Sequence, residues 1–416
     1  MSNCYENARE AYAALGVDTD KAIKAVSSVA LSMHCWQGDD VHGFENSGDL
    51  SGGIAATGNY PGAARNAEEL MADIDFAFGL IPGKKKVNLH AIYAVSDDLP
   101  DRKDLLPEHF APWVDFALER GIGLDMNPTL FSSPMAADSL TLTSPDPAVR
   151  EYWIAHCIAC RRIAEYFGKK TGMTSLNNIW IPDGYKQAPG DRMGPRARLR
   201  DSLDRIFADK VDPAYVLDSV EPKLFGIGLE SYTAGSSEFY MNYAARHSDH
   251  VMCLLDNGHF HPTENVSDKF SSLLLFAEHI ALHITRGVRW DSDHVVSLDD
   301  ELLGICRELV RCDALGKAFI GLDYFDASIN RVAAWVIGMR NVQKALLFAL
   351  LEPRELLKKY QDEGDFTSLF ALSEEEKTLP FLPVWNRYCE EQNVPSGISW
   401  LDGVKKYERD VLSLRS

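Results

Sequence analysis

No run of about 18 apolar residues occurs anywhere in the sequence, so it offers no helix able to cross a bilayer. Basic residues are in deficit: 42 Lys and Arg against 61 Asp and Glu give a formal net charge of −19. Nucleic acids and anionic membranes both require a basic footprint, and neither is expected as a partner. No glycine fingerprint for a phosphate or dinucleotide follows the first β-rich run, which weakens the case for a doubly wound open sheet. Solenoid-length repeats and low-complexity tracts are also missing. The opening residues, MSNCYENAREAYAALGV, are polar and acidic rather than basic and then apolar, so no secretory signal is expected.

Cysteine is sparse and scattered, eight residues in 416, with Cys253 in VMCLLD and Cys306 in LLGICRELV set among apolar neighbours. That usage points to reduced thiols and a cytoplasmic protein rather than a disulfide framework. Cys157 and Cys160 form a C-x-x-C inside a helical pattern, YWIAHCIACRRIAEYF, with no second cysteine pair to complete a zinc site. They read as packing residues.

What is present is alternation. Eight short β-rich runs recur at 29–34, 87–93, 122–128, 178–183, 223–230, 251–256, 282–287 and 318–323, with helical segments between them. Strands alternating with helices imply a parallel sheet, and eight is the number for an α/β fold of the (β/α)8 TIM-barrel type. His34, His90, Asn127, Asp183, Asp256 and Asp323 fall at or just past the C-terminal ends of these runs. That is the face where barrels collect catalytic groups. The predicted organisation is a catalytic barrel over 1–326 and a C-terminal helical extension over 327–416, packed on the barrel or on a neighbouring subunit. The Gly-rich stretch 48–62, GDLSGGIAATGNYPG, is the candidate for a mobile loop over the site.

Two motifs carry the chemistry. RWDSDHVV places Asp291 and Asp293 two residues apart, which on an extended segment turns both carboxylates to one side. DNGHFHP adds Asp256 and His259 as a D-x-x-H pair across an Asn-Gly turn, with His261 competing for the same role. Glu221 in E-P-K, His283 in LHITRG and Asp323 ending FIGLD complete a set of oxygen and nitrogen donors suited to a divalent cation. Taken singly, an Asp after a strand is more often a turn former or helix cap, and a His on an apolar strand a hydrogen-bonded core residue. His279 lies four residues before His283, but the extended look of LHITRG makes it a packing residue. Gathered in one cavity, the carboxylates of Glu221, Asp256, Asp291, Asp293 and Asp323 would repel. Two divalent cations together with Lys223 would balance them.

Seven runs, SMHCWQGDD, GNYPGAARNAEEL, NIWIPDGYK, ESYTAGSSEFYM, DNGHFHPTE, VRWDSDHVV and GLDYFDASINRVAAWVIG, together resemble L-rhamnose isomerases over nearly the whole chain. The metal arrangement is similar to that of xylose isomerases, which share the E-x-K, D-x-x-H and D-x-D pairs. The resemblance implies that Glu221, Asp256, His283 and Asp323 hold one metal, and that Asp256 bridges to a second held by His259, Asp291 and Asp293. It favours His259 over His261. It also implies that Lys223 reaches the sugar O1, that His90 sits near the ring-oxygen end, and that Trp180 and Phe131 wall the sugar. Lys223, Asp323 and His90 would be the catalytic groups.

The activity implied is L-rhamnose to L-rhamnulose interconversion by a 1,2-hydride shift after ring opening. The ligand set, without thiolate, favours Mn2+, with Mg2+, Co2+ or Zn2+ able to substitute. The family's habit of forming tetramers makes a homotetramer the expected assembly. Alternatives are an isomerase of the same type acting mainly on another aldose or ketose, and a two-metal barrel hydrolase. The latter would want more Arg or Lys around a phosphate than Lys223 supplies.

Overall fold

The computed structural model describes residues 2–45 and 54–415. Its strands in chain order are β1 (Ala30–His34), β2 (Lys84–His90), β3 (Gly123–Asn127), β4 (Ser175–Ile179) and β5 (Gly184–Tyr185). There follow β6 (Val216–Val220), β7 (Tyr232–Thr233), β8 (Val251–Asp256), β9 (Ile280–Ile284) and β10 (Ala318–Leu322). Eight of them close a barrel in the order β1-β2-β3-β4-β6-β8-β9-β10, each pair parallel and β10 returning to β1. The short strands β5 and β7 form a separate antiparallel ribbon above it. This is the (β/α)8 fold that the alternation of strands and helices predicts.

The period-two pattern of the strands shows in what they bond. Ser32 Oγ donates to Asp125 at 2.6 Å, and the Lys86 ammonium also reaches Asp125. One step further up, Asn88 Nδ2 lies 2.9 Å from His34 Nε2, and Asn127 Nδ2 donates to Asn88. Residues two apart on β1, β2 and β3 thus build a hydrogen-bonded polar column leading to the strand ends. Helix starts follow side-chain capping: Asp18, Asn66, Asp146, Asp299 and Asn330 each accept a backbone N–H from the first turn.

The predicted fifth strand is corrected. Residues 223–230 form a loop, and the strand in that place is Val216–Val220 just before Glu221. Its sequence, VLDSV, hides the strand because Asp218 pairs with the buried Arg161 of helix Pro147–Thr171 at 2.8 Å. A polar residue satisfied by a neighbouring helix looks, in sequence alone, like a loop residue. Three other runs are displaced: the strand expected at 87–93 lies at 84–90, the one at 178–183 lies at 175–179, and the one at 282–287 lies at 280–284.

Helix Arg331–Leu350 packs against helices Asp300–Arg311, Thr19–Ser28 and Ala67–Phe78, beside the β10–β1 seam. Four further helices follow, Arg354–Glu363, Phe366–Glu375, Phe381–Glu391 and Trp400–Asp410. The last is tied to the barrel helices by Tyr407, which donates to Asp73 at 2.7 Å, and Arg415, which pairs with the same carboxylate at 2.5 Å.

Of the Gly-rich stretch 48–62, residues 48–53 lie outside the described residues. The remainder is fastened at Gly58, which bridges to Ala327 with φ +115°. A Cβ there would stand 2.2 Å from the Ala327 carbonyl carbon, so only glycine fits. Tyr60 N donates to Ala327 O at 2.8 Å, and Arg331, paired with Asp40, holds Tyr60 O at 2.6 Å.

Candidate active site

A cavity of about 460 Å³ opens at the C-terminal ends of the barrel strands. Glu221, Lys223, His259, His283, Asp291, Asp293 and Asp323 line it, with His90, Phe131 and Trp180. Asp256 closes the set at the end of β8, fully buried. The chain therefore gathers these residues at one end of the barrel.

The donor atoms fall into overlapping groups. Glu221, Asp256, His283 and Asp323 each place one ligand atom within 4.8 Å of the others, and so do Asp256, His259 and Asp291. Asp256 belongs to both. His283 Nδ1 lies 3.0 Å from Asp323 Oδ2 and 3.4 Å from Glu221 Oε2, yet makes no hydrogen bond. Asp323 Oδ1 and Asp291 Oδ1 are likewise buried without a hydrogen-bond partner among the described residues. Polar atoms aimed at one another without hydrogen-bond geometry, and left orphaned when buried, fit a cation between them.

The electrostatics agree. Burial pushes Glu221 up, but the His283 and His259 imidazoles outweigh it and hold the carboxyl well below its usual range. Burial, reinforced by the carboxylates of Glu221 and Asp291, raises Asp256 to about 7 despite the opposing His259. Asp293 is driven up by burial and then by Asp291. Burial works against the Lys223 ammonium, yet Asp291 and Asp293 more than compensate and hold it above its ordinary value. A cluster that strains against its own charge is what a cation would relieve.

Local structure places each group. Glu221 directly follows β6, and its Oε2 accepts from Asn178 Nδ2 at 2.6 Å. Lys223 sits in the next loop, where its backbone N–H donates to Gly235 O at 3.0 Å. Its ammonium contacts Asp291, lies 2.8 Å from His259 Nε2 and stands 5.6 Å from the Trp180 ring centre. Gly258 allows the close approach of the two motifs: a Cβ there would meet Asp291 Oδ1 at 2.5 Å. The D-x-D segment is not extended as expected. An antiparallel bridge from Arg286 to His294 closes a loop in which Arg289 and Asp293 are left-handed, with φ of 70° and 46°. Both carboxylates still reach the cavity, but Asp293 stands outside the two compact groups.

The two competing histidines differ in position. His259 is buried, with Nε2 3.2 Å from Asp291 and Nδ1 2.8 Å from Pro222 O, whereas exposed His261 bonds to Thr263. His279 packs edge-on to Phe319, away from the cluster. Asp183 is not part of the cavity; its oxygens accept four hydrogen bonds from Thr141 and Thr143. Burial lowers His90 to about 3, so the ring is neutral, and it stacks on Trp36 at 4.0 Å. Phe131 and Trp180 meet edge-to-face at 6.0 Å.

Sequence reasoning did not put His34, Trp36 or Asn178 in the site. His34 forms a third donor group with His283 and Asp323, its Nε2 3.3 Å from His283 Nε2. Its place at the end of β1 was the available signal. Asn178 and Trp36 lie in runs that carry the family resemblance, but their contacts with Glu221 and His90, far off in sequence, are not legible from spacing.

A family model for L-rhamnose isomerase (RhaA) matches residues 1–415. The chain belongs to the L-rhamnose isomerase family. It is 57% identical over 416 residues to the L-rhamnose isomerase of Listeria innocua serovar 6a, covering 100% of this chain and 99% of that one. It is 53% identical over 417 residues to that of Salmonella paratyphi B, again with 100% and 99% covered. Among solved structures, D-allulose 3-epimerase from Methylomonas sp. superposes with a TM-score of 0.50 at 12% identity, covering 77% of this chain and 99% of that one. That likeness shows the barrel fold alone.

Proposed function

We propose that this member of the L-rhamnose isomerase family interconverts L-rhamnose and L-rhamnulose in the cavity at the barrel mouth. The observation that carries the reading is the overlap of two donor groups at Asp256, beside the Lys223 ammonium. Glu221, Asp256, His283 and Asp323 would hold one divalent cation; Asp256, His259, Asp291 and Asp293 would hold a second. An all-oxygen and nitrogen donor set suits Mn2+, with Mg2+, Co2+ or Zn2+ as substitutes. When bound, the cations supply Lewis acidity that polarises O1 and lowers the pKa of the O2 hydroxyl.

The chain's own residues do the rest. Lys223 donates to O1 and stabilises the negative charge that grows there. Asp323, with Oδ1 unpartnered, accepts the O2 proton and returns it at O1. Neutral His90 stands at the ring-oxygen end, where opening of the pyranose needs a proton moved. Trp180 and Phe131 close the cavity on the sugar and exclude water. With water excluded and no further base required at C2, hydrogen passes from C2 to C1 as hydride.

Incubation with L-rhamnose and Mn2+ tests the activity by ketose formation; no ketose overturns the assignment. Deuterium placed at C2 is expected to remain at C1 of the product, and washout into solvent would exclude the hydride path.

Assembly and location belong to the same reading. Helix Phe366–Glu375 has no buried residue, with Phe366 64% and Phe370 67% exposed, which supports a face covered in a homotetramer. The boundary near residue 327 then separates the barrel strands from the helices that include this face. Eight free thiols support a cytoplasmic setting.

A further inference from the structure

A second cavity, of about 330 Å³, opens far from the barrel mouth between helix Arg331–Leu350, helix Phe381–Glu391 and the loop before Trp400. Its walls include Phe381, Trp385 and Ile398, and its polar lining is Arg340, Asn341 and Lys344. Arg340 is only 2% exposed. Its Nη1 donates to Leu80 O at 2.9 Å, but Nε has no partner. Among the described residues Lys344, one helical turn on, hydrogen-bonds only to Asn341 Oδ1, at 3.5 Å. Among the described residues no carboxylate pairs with either cation, and burial lowers the pKa of both.

That is unusual for this chain. The other buried arginines here have acids: Arg102 with Glu45, Arg161 with Asp218, Arg331 with Asp40, Arg415 with Asp73. With a net charge of −19 there is no shortage of carboxylates to recruit. The two uncompensated cations instead flank one indole, the guanidinium 5.1 Å and the ammonium 5.4 Å from the Trp385 ring centre. Burying a charge without a counter-ion is costly, so an anion that filled the cavity would remove a standing penalty.

We propose that this cavity binds a small organic monoanion with a flat apolar body, of the aromatic carboxylate class. The carboxylate would accept from Lys344 Nζ and Arg340 Nε, and the body would lie against Trp385 and Ile398. The size is that of a small-ligand pocket, which runs from about 300 Å³ upward. A hydrated inorganic phosphate is a poorer fit, because apart from the two cations the side chains of the lining are mostly apolar, with Asn341 and two tryptophans the further sources of a polar group to replace its water.

The test is calorimetric titration of benzoate into the full-length, Mn2+-loaded protein, with benzamide as the neutral counterpart. Benzoate is expected to bind at least about tenfold tighter than benzamide, the margin a charge-assisted pair provides. Lys344→Met should weaken benzoate by about tenfold or more while sugar turnover is unchanged. Ile398→Glu, at a position 71% exposed and safe for folding, should do the same by placing a carboxylate at the rim. Equal binding of benzoate and benzamide, no measurable heat, or benzoate affinity indifferent to both variants would each overturn the proposal.

Discussion

Lys223 is held by opposing demands: burial disfavours its charge, and the carboxylates of Asp291 and Asp293 insist on it. Its contact with Asp291 holds the ammonium at the cavity wall, where the proposed reaction would have O1 of the open-chain sugar develop charge. Lys223→Met removes that donor and leaves Asp291 and His259 to each other. The expected loss in kcat is about 10²-fold or more, the scale seen when one preorganised donor to a developing oxyanion is removed. Steady-state ketose formation measures it; a change confined to KM would mean that Lys223 only binds the sugar. His34 and Asn178 show where reading single residues stops. Each acts through a partner more than 40 positions away, Asn178 on Glu221 and His34 on His283. Motif spacing sees only neighbours in sequence.

Among the elements, legibility follows how each strand is satisfied. The strand VMCLLD is buried throughout and reads plainly as apolar. The strand VLDSV does not, because Asp218 is neutralised by Arg161 from helix Pro147–Thr171, with both side chains only 2% exposed. The apolar loop 223–230 reads as a strand instead, and Phe225 and Ile227 from it line the cavity. The D-x-D motif likewise disclosed its carboxylates but not its left-handed loop. The Arg161–Asp218 pair yields an element-level prediction. Arg161→Met leaves Asp218 buried with Asn177 as its remaining donor, at 2.8 Å. Removing one member of such a pair costs about 3–5 kcal/mol. The expected result is a clearly lower Tm by calorimetry, and an unchanged Tm would mean that the pair contributes little.

The family's whole-chain match and the closed barrel agree with the order of elements read from sequence, because that order is a property of the entire chain. Two consequences also belong to the whole molecule. The carboxylates at the barrel mouth repel in the metal-free protein, so cations that bind only the folded state stabilise it by mass action, about 4 kcal/mol at a thousandfold excess over Kd. Chelation is therefore expected to lower Tm as well as abolish turnover, and Mn2+ to restore both; a Tm indifferent to chelator would show that the cluster carries no cation. The second consequence concerns helix Phe366–Glu375. Phe366 and Phe370 lie one turn apart on one face, both well exposed in the single chain. Burying a phenylalanine contributes roughly 1.5–3 kcal/mol, so a repeated contact through this face would favour assembly strongly. Replacing both by Glu substitutes like charges for that apolar pair without disturbing any buried residue of the helix. Sedimentation should show a smaller species for the double variant than for the parent chain, with the far-ultraviolet spectrum of the barrel retained. Equal sedimentation of the two would place the subunit contacts elsewhere on the molecule.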